Sequence, residues 1–134
     1  MNIAQAAYDK VIQSWWILKL TYGLLFIVAG ADKFINLITN WAQYVSLTIL
    51  NVVPLTSQQI IWGSGIFEII LGLLILVIAT RIGAYITMVW LLVISANLIT
   101  MGLFDIAVRD IVMAIGALVL ALLTNAHEES SSSK

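Results

Sequence analysis

The chain has 134 residues, of which 62% are hydrophobic and 10% are charged, with a net charge of −1 and a mean hydropathy of +1.06. So small a soluble domain has too much surface to hide this many apolar side chains, and an average soluble domain carries roughly 25% charged residues. The absence of cysteine excludes a disulfide-stapled secreted scaffold, the charge balance excludes nucleic-acid binding, and the hydrophobicity excludes disorder.

The charges are distributed so that long stretches contain none. Crossing the hydrocarbon layer of about 30 Å takes about 20 apolar residues in a helix. Four stretches meet this length, and they predict membrane spans at residues 15–34, 58–80, 82–101 and 106–124. The first is too long for a signal peptide and shows no small-residue cleavage site, so we expect it to stay in the membrane.

Residues 35–57 are apolar but interrupted by polar side chains and by Pro54. This pattern predicts an amphipathic segment at the membrane interface, with Asn40 capping a helix that begins at Trp41. A fifth crossing is the alternative interpretation.

The second, third and fourth spans are joined by short turns, which favour antiparallel neighbours. We therefore predict an all-α integral membrane protein, an up-down four-helix bundle forming one domain over residues 1–124. Both termini would lie on the side with more positive charge, which is typically the cytoplasm. Residues 125–134 are predicted to form a disordered polar tail.

Glu68 is the most informative residue because it lies near the middle of the second predicted span. A carboxyl at that depth should face the bundle interior. Predicted depths make Asn97 its nearest polar partner and put Lys33 about 12 Å away along the membrane normal. Ser64 and Gly72 share its helix face, where small residues allow close helix packing. Glu68 is then either a proton or ligand site or a neutral carboxyl that joins helices.

A second group of charges lies at the opposite end from the termini: Asp32, Lys33, Asp105, Arg109 and Asp110. Asp105 is predicted to cap the fourth span and to pair with Arg109 four residues later. Arg109 lies one turn deep and needs a partner, for which Asp32 or Glu68 is a further candidate. The group is either a structural clasp between the first and fourth spans or a polar ligand pocket.

Four sequence segments occur in a recognisable order: GLLFIVAGADKF from Gly23, GIFEIILGLLIL around Glu68, RIGAYI from Arg81 and DIAVRD from Asp105. Together they resemble the DoxX/DoxD-like family of small four-helix membrane proteins. The resemblance implies a multi-pass protein of the prokaryotic cytoplasmic (inner) membrane. Relatives are associated with thiosulfate:quinone oxidoreductase, quinol-oxidase operons and membrane complexes for oxidative or sulfur stress.

The family resemblance and the polar residues predicted inside the bundle together suggest a function. The leading hypothesis is an accessory, quinone-interacting subunit of a membrane redox complex, not catalytic on its own and without a covalent or metal cofactor. Expected partners are the lipid bilayer, other membrane proteins or further copies of the chain, and not nucleic acid. A small oligomeric proton-coupled transporter and a purely structural assembly protein are the alternatives.

Overall fold

The computed structural model describes residues 2–133, which contain helices and turns and no strand. The helices are α1 (Ile3–Ile35), a 3₁₀ turn (Trp41–Tyr44), α2 (Leu47–Val52), α3 (Ser57–Leu73, continued by a π-helical turn at Leu74–Ile78), α4 (Thr80–Thr100) and α5 (Phe104–Ser132). Four of these segments are long and apolar enough to cross a membrane: Ile3–Ile35, Ser57–Ile78, Thr80–Thr100 and Phe104–Ser132. The predicted all-α membrane bundle is confirmed.

Each long helix runs antiparallel to the next one in the bundle. Tyr22 donates to the carbonyl of Met113 at 2.6 Å, which joins α1 to α5, and Ser95 donates to the carbonyl of Ala107 at 2.9 Å, which joins α4 to α5. Gly102 has a φ of +74°, a left-handed conformation that glycine adopts without strain, and it turns the chain from α4 into α5. The two chain ends therefore lie at one end of the bundle, the termini end, and residues 36–56 lie at the other, the loop end.

Helices α1 and α3 approach so closely that their backbones nearly touch. A Cβ on Gly30 would lie 2.6 Å from the carbonyl oxygen of Gly65, and a Cβ on Gly72 would lie 2.6 Å from that of Gly23. The prediction that small residues on the Glu68 face, Gly72 among them, permit close packing is confirmed.

Residues 36–56 form the 3₁₀ turn and α2 instead of a fifth crossing, and together they cover the loop end. A helix does begin at Trp41, but the side chain of Asn40 makes no capping hydrogen bond. The predicted cap of the last span is likewise wrong, because α5 begins at Phe104 and Asp105 lies inside its first turn.

The C-terminal segment differs from the predicted disordered tail, because α5 continues to Ser132. Contacts with two other helices explain the difference. The ring of His127 packs 4.4 Å from that of Trp15 in α1, and Glu128 forms a 3.3 Å ion pair with Arg81 in α4. Lys134 lies outside the described residues.

Candidate functional site

A cavity of about 570 Å³ lies between the four long helices in the half of the bundle near the loop end. Its wall is mainly apolar, and residues 36–56, which we call the cover, close it from the loop end with Ile38, Trp41 and Tyr44 among others. Ligand pockets typically measure about 300–1,000 Å³ and combine apolar walls with a few polar groups, so the volume and the lining both suit a small ligand.

The main polar feature of the wall is an ion pair between α1 and α3. The ammonium nitrogen of Lys33 lies 2.6 Å from Oε2 of Glu68, and the two side chains are only 7% and 4% exposed. The indole nitrogen of Trp90 donates to the other carboxylate oxygen at 3.0 Å. Both oxygens of Glu68 thus have a donor, which a buried carboxylate requires.

The predicted partner of Glu68 is therefore wrong, because the carboxylate pairs with Lys33, a residue expected about 12 Å away along the membrane normal. Side chains tilt toward the N-terminus of their own helix, so in antiparallel helices they tilt toward each other. Lys33 follows Gly30 by one turn and Glu68 follows Gly65 by one turn, on either side of the point where the backbones meet. The long lysine side chain spans the remaining distance.

Trp41 connects this ion pair to the cover. The ammonium of Lys33 lies 4.0 Å from the centre of the Trp41 ring, a cation–π contact. The indole nitrogen of Trp41 donates to Oδ2 of Asp32 at 2.7 Å. Asp32 also accepts bonds from the backbone amides of Leu37 and Ile38 at 2.9 and 3.0 Å, so it orders the start of the cover and does not line the cavity.

Asn97 holds the middle of the cover to α4. Its amide nitrogen donates to the carbonyl of Tyr44 at 2.6 Å, and its oxygen accepts from the backbone amide of Ser46 at 3.2 Å. Asn97 lines the cavity, but both of these bonds go to backbone groups of the cover.

The charges on α5 pair with each other. Arg109 contacts Oδ1 of Asp110 through Nη2 at 2.9 Å and through Nε at 3.0 Å, instead of Asp105, Asp32 or Glu68. The Asp110 side chain is 5% exposed and the Arg109 side chain 61% exposed, and both residues line the cavity. Asp105 is exposed and lies outside it. The predicted clasp between α1 and α5 is therefore not formed by these charges.

Of the seven candidate residues, five line the cavity: Lys33, Glu68, Asn97, Arg109 and Asp110. Two tryptophans that contact the ion pair, Trp41 and Trp90, are not among these candidates, and the sequence predicts for Trp41 only a place at the membrane interface. The sequence does contain a signal that Trp90 lies near Glu68. Trp90 follows the tight turn at Ala79 by 11 residues, and Glu68 precedes that turn by 11. Equal distances from a hairpin turn put two residues at the same depth.

The cavity wall contains two cationic and two anionic groups, arranged as two pairs. It therefore suits a neutral molecule with hydrogen-bonding groups better than an ion. Within residues 2–133, no three histidine, cysteine or acidic side chains are grouped as metal ligands would be.

Comparison with known sequences gives the family. The DoxX family model matches residues 14–101, which include most of α1, the cover, α3 and α4. No curated protein and no solved structure matches the chain significantly. The match covers well over half of the chain, and the protein belongs to the DoxX family, a multi-pass membrane protein family.

Proposed function

We propose that this DoxX family member binds a membrane quinone in its cavity and serves as a quinone-interacting accessory subunit of a membrane redox complex. The observation that carries the proposal is the Lys33–Glu68 ion pair, buried in a mainly apolar cavity and contacted by two tryptophans. A quinone ring is flat, neutral and apolar apart from its carbonyl oxygens, and this wall offers matching chemistry.

The chain's own groups would hold the ring. An ammonium has three N–H donors, and Glu68 accepts one from Lys33, so a ligand carbonyl can accept another. Glu68 keeps the lysine oriented, and the indoles of Trp41 and Trp90 provide flat apolar surface beside it. A bound quinone supplies a carrier of two electrons and two protons. The chain contains no cysteine, and we assign the electron transfer to a partner subunit.

The same proposal includes a prokaryotic cytoplasmic membrane with the termini in the cytoplasm. Lys10, Lys19 and Arg81 lie toward the termini end. Of the two basic residues toward the other end, Lys33 is buried in its ion pair and Arg109 is exposed. Exposed positive charge therefore favours the termini end as the cytoplasmic one.

Quinone titration of the protein in lipid nanodiscs tests the proposal. Trp41 and Trp90 line the cavity, so a bound quinone should quench tryptophan fluorescence saturably. The variant Lys33→Met/Glu68→Met removes the buried pair without leaving a lone charge, and we expect it to weaken binding by about tenfold or more. The matched control is Arg81→Met/Glu128→Met, which removes an exposed pair remote from the cavity and should bind as the wild type does.

Mass spectrometry of the protein purified in mild detergent tests the assembly. We expect quinone and membrane protein partners to copurify. A protein that is isolated alone, carries no quinone and shows no saturable quenching would refute the proposal.

The buried Glu68 carboxyl also favours the alternative of a proton-coupled transporter, since such proteins use acidic groups within the membrane. Flux in proteoliposomes separates the two functions. A transporter would lose flux on Glu68→Gln, whereas a quinone-binding subunit would show no flux in either form.

A further inference from the structure

On the side between α3 and α4 the cavity is crossed by polar bonds, and one lining residue of α4, Val93, is 53% exposed. The Trp90–Glu68 hydrogen bond joins the two helices at mid-depth. Above it, the cover lies over this side and is held by the bonds from Asn97 to Tyr44 and Ser46.

The opposite side, between α1 and α5, is joined only toward the termini end. Trp15 donates to Thr124 at 2.8 Å, and Tyr22 donates to the carbonyl of Met113. No hydrogen bond or ion pair joins residues 23–35 of α1 to residues 104–112 of α5, all of which the structure describes.

The cavity reaches the outer surface at this unjoined side. Two of its lining residues on α1, Leu25 and Val28, are 39% and 54% exposed. Ile106 and Met113 of α5 also line it. In a bilayer, exposed apolar residues at this depth face the lipid chains, so this edge of the cavity is in contact with lipid.

We infer that the gap between α1 and α5 is a lateral opening through which a prenyl quinone enters from the lipid layer, and in which its prenyl chain lies when the ring is bound. This inference rests on the proposed function and deepens it by naming the ligand class and its route. The rim is apolar at Leu25, Val28, Ile106 and Met113, which matches a hydrocarbon chain, and its arginine is already paired with Asp110. The ligand is then a membrane-dissolved amphiphile and not a water-soluble molecule that enters past the cover.

A bulky side chain at the rim tests the opening. Val28→Phe narrows the gap, and Val89→Phe is the matched control, because Val89 is also 54% exposed but lies on α4 outside the cavity lining. Ile106→Phe narrows the gap from the other rim. The probes are a long-chain ubiquinone and the same ring without its prenyl chain, each titrated by tryptophan quenching in nanodiscs. Phenylalanine is the substituted residue because it adds no tryptophan fluorescence.

We expect Val28→Phe and Ile106→Phe to weaken long-chain binding by about tenfold or more and to change binding of the bare ring by less than about twofold. Val89→Phe should change neither, and thermal unfolding should show that all three variants fold. Unchanged long-chain binding in both rim variants, or an equal loss for both probes, would overturn the lateral opening and leave the proposed function in place. A wild-type protein that binds neither probe would overturn both.

Discussion

The two halves of the bundle differ in the side chains that fill their interiors. Toward the termini end, α4 and α5 meet through small residues, among which Ala84, Ala114, Ala117 and Ala121 are almost completely buried. Toward the loop end, the interior instead holds the cavity with its two ion pairs and two tryptophans. Small residues let helix backbones approach, whereas larger side chains line the cavity.

The difference shows what stabilises each half. Lipid chains are as apolar as leucine, so helices in a membrane are held by close packing and by hydrogen bonds between them. The half toward the termini end, which we call the closed half, relies on many packing contacts that each contribute a similar free energy. The half toward the loop end, which we call the open half, relies on a few polar groups, chiefly Lys33, Glu68 and Asn97. Losing one of them should lower the free energy of unfolding by more than losing one packing contact of the closed half.

Loss of Lys33 is the strongest test of this contrast. Lys33→Met leaves Glu68 buried without its charged partner, and breaking such a pair from one side costs about 3–5 kcal/mol. We expect the free energy of unfolding, measured in mixed detergent–lipid micelles, to fall by that amount.

Two variants serve as controls for this measurement. Lys33→Met/Glu68→Leu replaces the whole pair with apolar side chains and should recover most of the lost stability. Arg81→Met breaks an exposed pair and should cost only about 0–1 kcal/mol. If Lys33→Met costs no more than Arg81→Met, the polar groups do not stabilise the open half.

Gly72→Ala tests the close packing that holds α1 and α3 together in both halves. Its new methyl group would lie 2.6 Å from the carbonyl oxygen of Gly23, a backbone atom that cannot move aside alone. Overpacking of this kind costs about 1–3 kcal/mol of unfolding free energy. The control Gly63→Ala on the same helix meets nothing within 4 Å and should be neutral or stabilising by up to about 1 kcal/mol. Equal effects at the two positions would contradict the packing argument.

Asn97→Ala should loosen the cover without disturbing the closed half. It removes two hydrogen bonds to backbone groups of the cover, worth about 1–2 kcal/mol together. Amide hydrogen exchange should then accelerate by roughly 5–30-fold in residues 40–49 and stay unchanged in α5. Asn51→Ala, at an exposed position of α2, is the matched control and should leave exchange unaltered. Acceleration spread evenly over the whole chain would show that the cover does not open independently.

The closed half was more predictable from sequence than the open half. Charge-free stretches indicate the four helices, and the small residues on the Glu68 face indicate a close-packing surface, because both are properties of one helix at a time. The Lys33–Glu68 pair depends on where two helices cross and how their side chains tilt. The roles of Asp32 and Asn97 depend on the path of the cover, whose backbone groups they bind. No spacing along the chain encodes that path.

Trp15→Phe gives the smallest expected effect and probes the closed half with a single hydrogen bond. Phenylalanine keeps a six-membered ring in the buried place, but it loses the bond from the indole nitrogen to the Thr124 hydroxyl and the buried surface of the second indole ring. Because Thr124 still donates to the carbonyl of Leu120 at 2.8 Å, the hydroxyl keeps a partner, and the share of the hydrogen bond in the loss should be about 1 kcal/mol of unfolding free energy.

The neighbouring Trp16 is 48% exposed, so Trp16→Phe should be neutral and controls for the change of ring. A loss from Trp15→Phe as large as that from Lys33→Met would remove the distinction between the halves. The expected loss of unfolding free energy is small because helices packed along their length are stabilised by many contacts. Around the cavity, few other contacts can compensate for one that is lost.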